Sequence, residues 1–308
     1  MAAALLSRRR LIAGATASSV LWGTARAQQA DALNFLVVGD WGEPHVALQR
    51  RVAVSMANVA REIGSAFVIS TGDNFYTDGV RSVRDPQWAA TFEGVFDDPA
   101  LQTPWYAVLG NHDYRGAPAA QVAYTQQSFR WRMRGRYWRE DMRLGAQTVS
   151  FYFIDTTPIA HLDTAKAYVP LVGSRNAAWR QIEWFGRTLS GRPADWNIVV
   201  GHHPVFSSGP HGGSPPLQRH IQPLLEQFRT AAYFNGHDHD LEHLQAGPMN
   251  YFCSGAGSEP RAIVAGPNSR FAFGGGGFAS CRISADVLRV VFHDADGAVL
   301  YSTDVARR

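Results

Sequence analysis

The chain has 308 residues, of which 45% are hydrophobic and 18% charged, with 29 Lys and Arg against 26 Asp and Glu. That balance supplies one large apolar core and excludes a disordered or fibrous polypeptide. Cys253 and Cys281 stand alone, without a Cys-x-x-Cys pair, which excludes a thiolate zinc site and leaves open either one disulfide or two free buried thiols in neighbouring strands.

Residues 7–12 (SRRRLI) open an apolar stretch that runs to Gly23 and closes on Ala25, Arg26 and Ala27. Paired arginines before a weakly apolar segment and a small-x-small site read as a twin-arginine export signal over residues 1–27. The stretch is too short and too rich in Ala, Gly, Ser and Thr for a membrane span. Residues 28–308 are then expected to form one domain in the periplasm or outside the cell, without a stable membrane anchor. Removing residues 1–27 takes away four arginines and no acidic residue, so the net charge moves from +3 to −1. The basic composition therefore points to no nucleic-acid partner.

Residues 34–38 (NFLVV) read as a first buried strand. Residues 45–63 read as a helix, with Val46, Leu48, Val52, Val54, Val59 and Ile63 at largely helical spacing and Gly64 at its end. Strands are expected at 67–69 and 105–109, and an alternating run covers 149–154. A helix over about 175–189 leads to a strand at 197–200, and one over about 217–228 leads to a strand at 233–234. After the glycine run 274–277, residues 278–283 and 287–293 look like hairpins closing a sheet. Short apolar runs alternating with helices favour an α/β or mixed sandwich fold. The stretch 129–138 (FRWRMRGRYW) reads as a packed loop with solvated arginines rather than a nucleic-acid patch.

Five polar clusters follow apolar runs: GDWG at 39–42, GDNFY at 72–76, GNHD at 110–113, GHHP at 201–204 and GHDH at 236–239. Each begins with glycine, where backbone must turn sharply beside a ligand. The crevice beyond the carboxyl ends of strands is where open α/β sheets bind ligands, so five such ends can converge on one site. Oxygen and imidazole donors without thiolate suit Fe, Mn or Zn, and a shared carboxylate suits a pair of ions used for phosphoryl displacement.

The ordered clusters resemble the calcineurin-like metallophosphoesterases, and Tyr76, three residues after Asp73, resembles the mark of the purple, tartrate-resistant type acid phosphatases. The likeness extends through GDNFYTDGV, the segment 91–116, GHHPVFSSGPHG and SGAG at 254–257. It implies an α/β fold, a β-sandwich of two mixed sheets flanked by helices, and a monomer acting on small phosphate esters. It also implies Fe(III) held by Asp40, Asp73, Tyr76 and His239, and a divalent Fe, Zn or Mn held by Asp73, Asn111, His202 and His237. His203 remains open as an alternative to His202. Hydroxide on such a centre would attack phosphorus, with His112 or His211 as the acid, while Asp113 and Asp238 would support the ligands. The other outcomes weighed are a phosphodiesterase of the same superfamily and a metal- or phosphate-holding protein without turnover. The segment 156–176 matches in length a loop that represses the animal enzymes until cleaved, and Lys166 or Arg175 would admit trypsin there.

Overall fold

The computed structural model describes residues 32–43, 47–163, 175–191 and 194–308. In chain order, β1 (Leu33–Val38), α1 (Ala47–Ile63), β2 (Phe67–Ser70) and β3 (Trp105–Ala107) are followed by α2 (Pro118–Tyr124), β4 (Trp131–Arg132), β5 (Trp138–Leu144) and β6 (Gln147–Phe153). Helices α3 (Thr156–Ala160) and α4 (Arg175–Gly191) lead to β7 (Trp196–Val200), and α5 (Pro215–His220) and α6 (Gln222–Gln227) lead to β8 (Ala232–Asn235). The last strands are β9 (Leu241–Ala246), β10 (Met249–Ser254), β11 (Ser269–Phe273), β12 (Gly277–Ile283), β13 (Val287–Asp294) and β14 (Val299–Ala306).

These strands form two seven-stranded sheets, ordered β14-β13-β12-β1-β2-β3-β4 and β11-β9-β10-β8-β7-β6-β5. The runs β1-β2-β3-β4 and β6-β7-β8-β10 are parallel, with antiparallel strands on their flanks. Helical crossovers such as α1 make the parallel pairing possible. This is the expected sandwich of two mixed sheets.

Side chains alternate across the second sheet, which fixes what each face meets. Phe151 and Phe153 of β6, Ile198 and Val200 of β7, and Phe234 of β8 face the first sheet. Phe35 of β1 meets Phe151 edge-on at 5.5 Å and Phe234 at 6.4 Å, closing the core between the sheets. Tyr152, Val199 and Tyr233 point the other way and pack with Ile159, Phe185, Leu189, Leu217 and Leu225 of the helices. Helix α1 buries Val52, Met56, Val59 and Ala60 against the first sheet, a stripe at helical spacing.

Three differences from the sequence reading have physical causes. The helix expected over 217–228 is two short ones, because Pro223 supplies no N–H and its ring opposes a continuous turn. In the 129–138 stretch Arg134 and Arg136 are solvated as expected, but Arg130 is fully buried, paired with Glu93 and donating to the Phe96 carbonyl at 2.6 Å. Its guanidinium also lies 4.4 Å from the Phe92 ring, so arginine here fills core volume. Both cysteines are free and buried, on β10 and β12 of opposite sheets rather than on neighbouring strands. The export signal expected at 1–27 and residues 164–174 of the segment compared with the repressive loop lie outside the described residues.

Candidate metal centre

Asp40 follows β1, Asp73 and Tyr76 follow β2, Asn111 and His112 follow β3, His202 follows β7, and His237 and His239 follow β8. All seven residues expected as ligands meet at this edge of the sandwich. Asp40, Asp73 and His237 hold positive φ angles of 55°, 47° and 74°. Such angles cost a non-glycine residue about 1–3 kcal/mol, and here three strand ends bear that cost to turn their side chains inward. The neighbouring glycines are required by closeness: a Cβ on Gly110 would overlap Asp73 Oδ1, and one on Gly236 would overlap Asp40 Oδ2.

The donor atoms form two groups that share one carboxylate oxygen. Tyr76 Oη lies 3.0 Å from Asp40 Oδ1, 3.3 Å from Asp73 Oδ2 and 3.1 Å from His239 Nε2. His202 Nε2 lies 3.3 Å from the same Asp73 Oδ2, 3.1 Å from Asn111 Oδ1 and 3.2 Å from His237 Nδ1. The partition is the one the family resemblance implies, with Asp73 common to both.

This set fits cations better than it fits its own hydrogen bonds. The single Tyr76 proton cannot serve three facing acceptors. His202 Nδ1 is already engaged with the Thr71 carbonyl at 3.0 Å, and His239 Nδ1 with that of Glu259 at 2.6 Å. Carbonyl partners keep the ring proton on Nδ1 and aim the Nε2 lone pair into the cluster, the arrangement of a ligating imidazole.

The charges lead to the same conclusion. Burial raises the Asp40 carboxyl well above its usual range. Burial also works against ionised Asp73, but His202 outweighs it and holds that carboxyl low. Burial opposes a proton on His202, yet Asp73 and Asp40 push its pKa up to about 9. Without a cation, the site thus balances its carboxylates with a proton on a ligand. Burial, then Arg261, brings His239 down to about 4, and burial with His203 and His202 lowers His237, so both imidazoles keep lone pairs in mildly acidic solution.

Asp113 and Asp238 are supports. The carboxylate of Asp113 accepts N–H groups from Gly110, Asn74, Phe75 and Gln121, stapling the β2 and β3 ends together. Asp238 accepts the main-chain and ring N–H of His211. His211 Nε2 accepts from Arg261 at 3.2 Å. His112 packs 4.6 Å from the Tyr76 ring, donates from Nδ1 to the Thr77 carbonyl at 2.8 Å, and leaves Nε2 without a partner among the described residues.

Residues 33–241 match the sequence profile of the calcineurin-like phosphoesterases. Over 287 residues the chain is 36% identical to purple acid phosphatase 3 of Arabidopsis thaliana, covering 87% of this chain and 76% of the relative. It is 35% identical over 297 residues to tartrate-resistant acid phosphatase type 5 of Oryctolagus cuniculus, covering 90% and 91%. The chain belongs to the purple acid phosphatases. Among solved structures it is similar to GAP50, the anchor in the inner membrane complex of Plasmodium, with a TM-score of 0.79, 26% identity and coverage of 90% and 89%. Purple acid phosphatase PPD1 of yellow lupin shares the fold at a TM-score of 0.66 and 14% identity, over 90% of this chain and 54% of that one.

Beside the metal centre of this purple acid phosphatase lies a cavity of about 740 Å³. Asn111, His237 and His211 form its inner end, and Ala160, Pro204, Pro215 and Pro216 form apolar walls. Two further residues lie near this centre, Arg261, to which the sequence gave no role, and His203, which it gave only as an alternative ligand to His202. Arg261 stands outside the five clusters, and no local pattern marks it. His203 is visible in GHHP, but its Nδ1 meets Thr156 Oγ1 at 3.0 Å, so of the adjacent histidines it is His202 that enters the cluster.

Proposed function

We propose that the protein is an acid phosphatase hydrolysing phosphate monoesters at a dinuclear centre. The observation that carries this is the pair of donor groups joined through Asp73 Oδ2, one of them centred on a buried tyrosine. Asp40, Asp73, Tyr76 and His239 would hold Fe(III), and Asp73, Asn111, His202 and His237 a divalent Fe, Zn or Mn. Bound cations there supply Lewis acidity toward phosphoryl oxygens and activation of water for attack at phosphorus.

The chain's own groups supply the rest. Asn111, His237 and His211 face the cavity where the ester would lie, and the proline and alanine walls keep water from its alcohol portion. His112 is the better placed proton donor, because its Nδ1 is fixed on Thr77 and its Nε2 can carry a proton to a leaving oxygen. In the present arrangement His211 Nε2 is occupied by Arg261, which suits it to holding the ester rather than protonating it.

The test is to load the protein with iron, record its visible spectrum and metal content, and compare p-nitrophenyl phosphate with bis-p-nitrophenyl phosphate from about pH 4 to about pH 8. Two metals per chain, an absorption lost in Tyr76→Phe, and monoesterase activity strongest in acid are expected. A colourless protein preferring the diester would overturn the reading in favour of a phosphodiesterase.

We further infer export through residues 1–27, supported by SRRRLI and the Ala25-Arg26-Ala27 site. Mature protein beginning at Gln28 in a periplasmic or culture fraction is the expected result, and an intact N-terminus in the cytoplasm would count against it.

A further inference from the structure

The cavity beside the metal cluster contains a hydrogen-bond donor with no assigned purpose. Thr156 Oγ1 accepts the main-chain N–H of His202 at 3.2 Å and that of His203 at 2.9 Å. A hydroxyl has two lone pairs and one proton, so both lone pairs are used and the proton is left for the third neighbour. That neighbour is His203 Nδ1, at 3.0 Å. The His203 ring therefore accepts at Nδ1 and carries its own proton on Nε2.

Nε2 has no partner among the described residues and is not among the atoms sealed in the interior, while His203 itself lines the cavity. Its ring stands 4.4 Å from that of His237 and 5.0 Å from that of His202. A phosphate held at the inner end of the cavity would thus come within reach of this N–H, next to the apolar walls formed by Pro204, Pro215 and Pro216.

We propose that His203 contacts the substrate, its Nε2–H donating to an oxygen of the phosphate ester in the cavity. The reading rests on the phosphatase assignment above but concerns a residue outside the ligand set. Thr156 fixes the tautomer in advance, so the donor needs no reorganisation when an anion arrives. Because the bond is built into the β7 end and the start of α3, the same hydroxyl that shapes the His202 turn also sets the polarity of the cavity floor.

Two variants separate the donor from the scaffold. His203→Asn places an amide oxygen where Nδ1 accepts from Thr156 but has nothing that reaches the Nε2 position. His203→Gln extends an amide N–H to that position. The metal-loaded proteins would be compared by calorimetric titration with inorganic phosphate, alongside KM and kcat for p-nitrophenyl phosphate and metal content. His203→Asn is expected to weaken phosphate binding about tenfold or more with two metals retained, and His203→Gln to recover most of it. Phosphate binding reads His203 whether or not the wild-type protein turns over the ester, so a failure of the phosphatase assignment would appear separately, as no turnover by the wild type. Wild-type phosphate affinity in His203→Asn would overturn the proposal. So would loss of metal in both variants, which would make the residue a support of the cluster instead.

Discussion

Asp238 Oδ1 accepts both the main-chain N–H of His211, at 3.0 Å, and its ring Nδ1–H, at 2.8 Å. One buried carboxylate thereby sets the position of the loop and the tautomer of the ring together. Ser207 donates to the other oxygen, so the carboxylate is itself fixed. Asp238→Ala is expected to lower kcat/KM about 10–100-fold, the usual cost of removing the group behind a working imidazole. If Asp238 acts through His211, the double variant with His211→Ala will be scarcely worse than His211→Ala alone. Additive losses in that cycle would show a separate role for the carboxylate.

His112 and His211 are predicted to differ in kind. His112 has a free Nε2, and His112→Ala should lower kcat by about 10²–10⁴ while both metals remain bound. His211, capped by Arg261 on Nε2, should affect KM more than kcat when changed to Ala. The pair is read by steady-state kinetics with metal analysis. An equal fall in kcat for both would mean that Arg261 leaves the ring when substrate binds.

Most of the centre was legible because ligands at strand ends leave a local signature: an apolar run, a glycine, then Asp, Asn or His. That pattern marked the five strand ends, the family resemblance picked seven donors out of them, Tyr76 included, and the structure brings those seven side chains together. β6, β12 and β13 were legible from their apolar runs alone, whereas strands with neither that signature nor such a run were not. β5 carries Arg139, Glu140, Asp141 and Arg143 on a half-solvated hairpin, and β9 carries Glu242, His243 and Gln245, so neither offers an apolar run. Arg130 and Arg261 show the other limit. Whether an arginine is solvated, buried against Phe92 or aimed at an imidazole depends on residues distant in sequence, and no spacing encodes it.

Gly110 tests how tightly the centre is packed. A methyl group there would collide with Asp73 Oδ1 and with the Asp73 main-chain nitrogen, and Asp73 cannot retreat because it serves both donor groups. Gly110→Ala is expected to cost about 1–3 kcal/mol of stability and to reduce metal content, whereas Gly145→Ala, with nothing near its Cβ, costs only its strained φ of 58°. Thermal unfolding and metal analysis of the two variants would check this, and equal metal content in both would contradict it.

The proton on His202 predicts how the metal-free protein responds to pH. Its folded pKa of about 9 lies above the 6.5 of an unperturbed histidine, because Asp73 and Asp40 outweigh its burial. A group raised in this way stabilises the fold while protonated, so its contribution is complete below about 6.5 and is lost as the pH rises through about 9. Asp240, raised to about 8 by burial and then by Glu242, adds to the loss in the same direction. The unfolding temperature of the metal-free protein is therefore expected to fall between pH 6.5 and 9, and to fall less in His202→Gln, which retains the parts due to buried carboxyls such as Asp240 and Asp113. In metal-loaded protein the cation takes the place of that proton, so the His202 part of the decline should vanish. Parallel declines in the metal-free and loaded forms would show that the proton sits elsewhere than on His202.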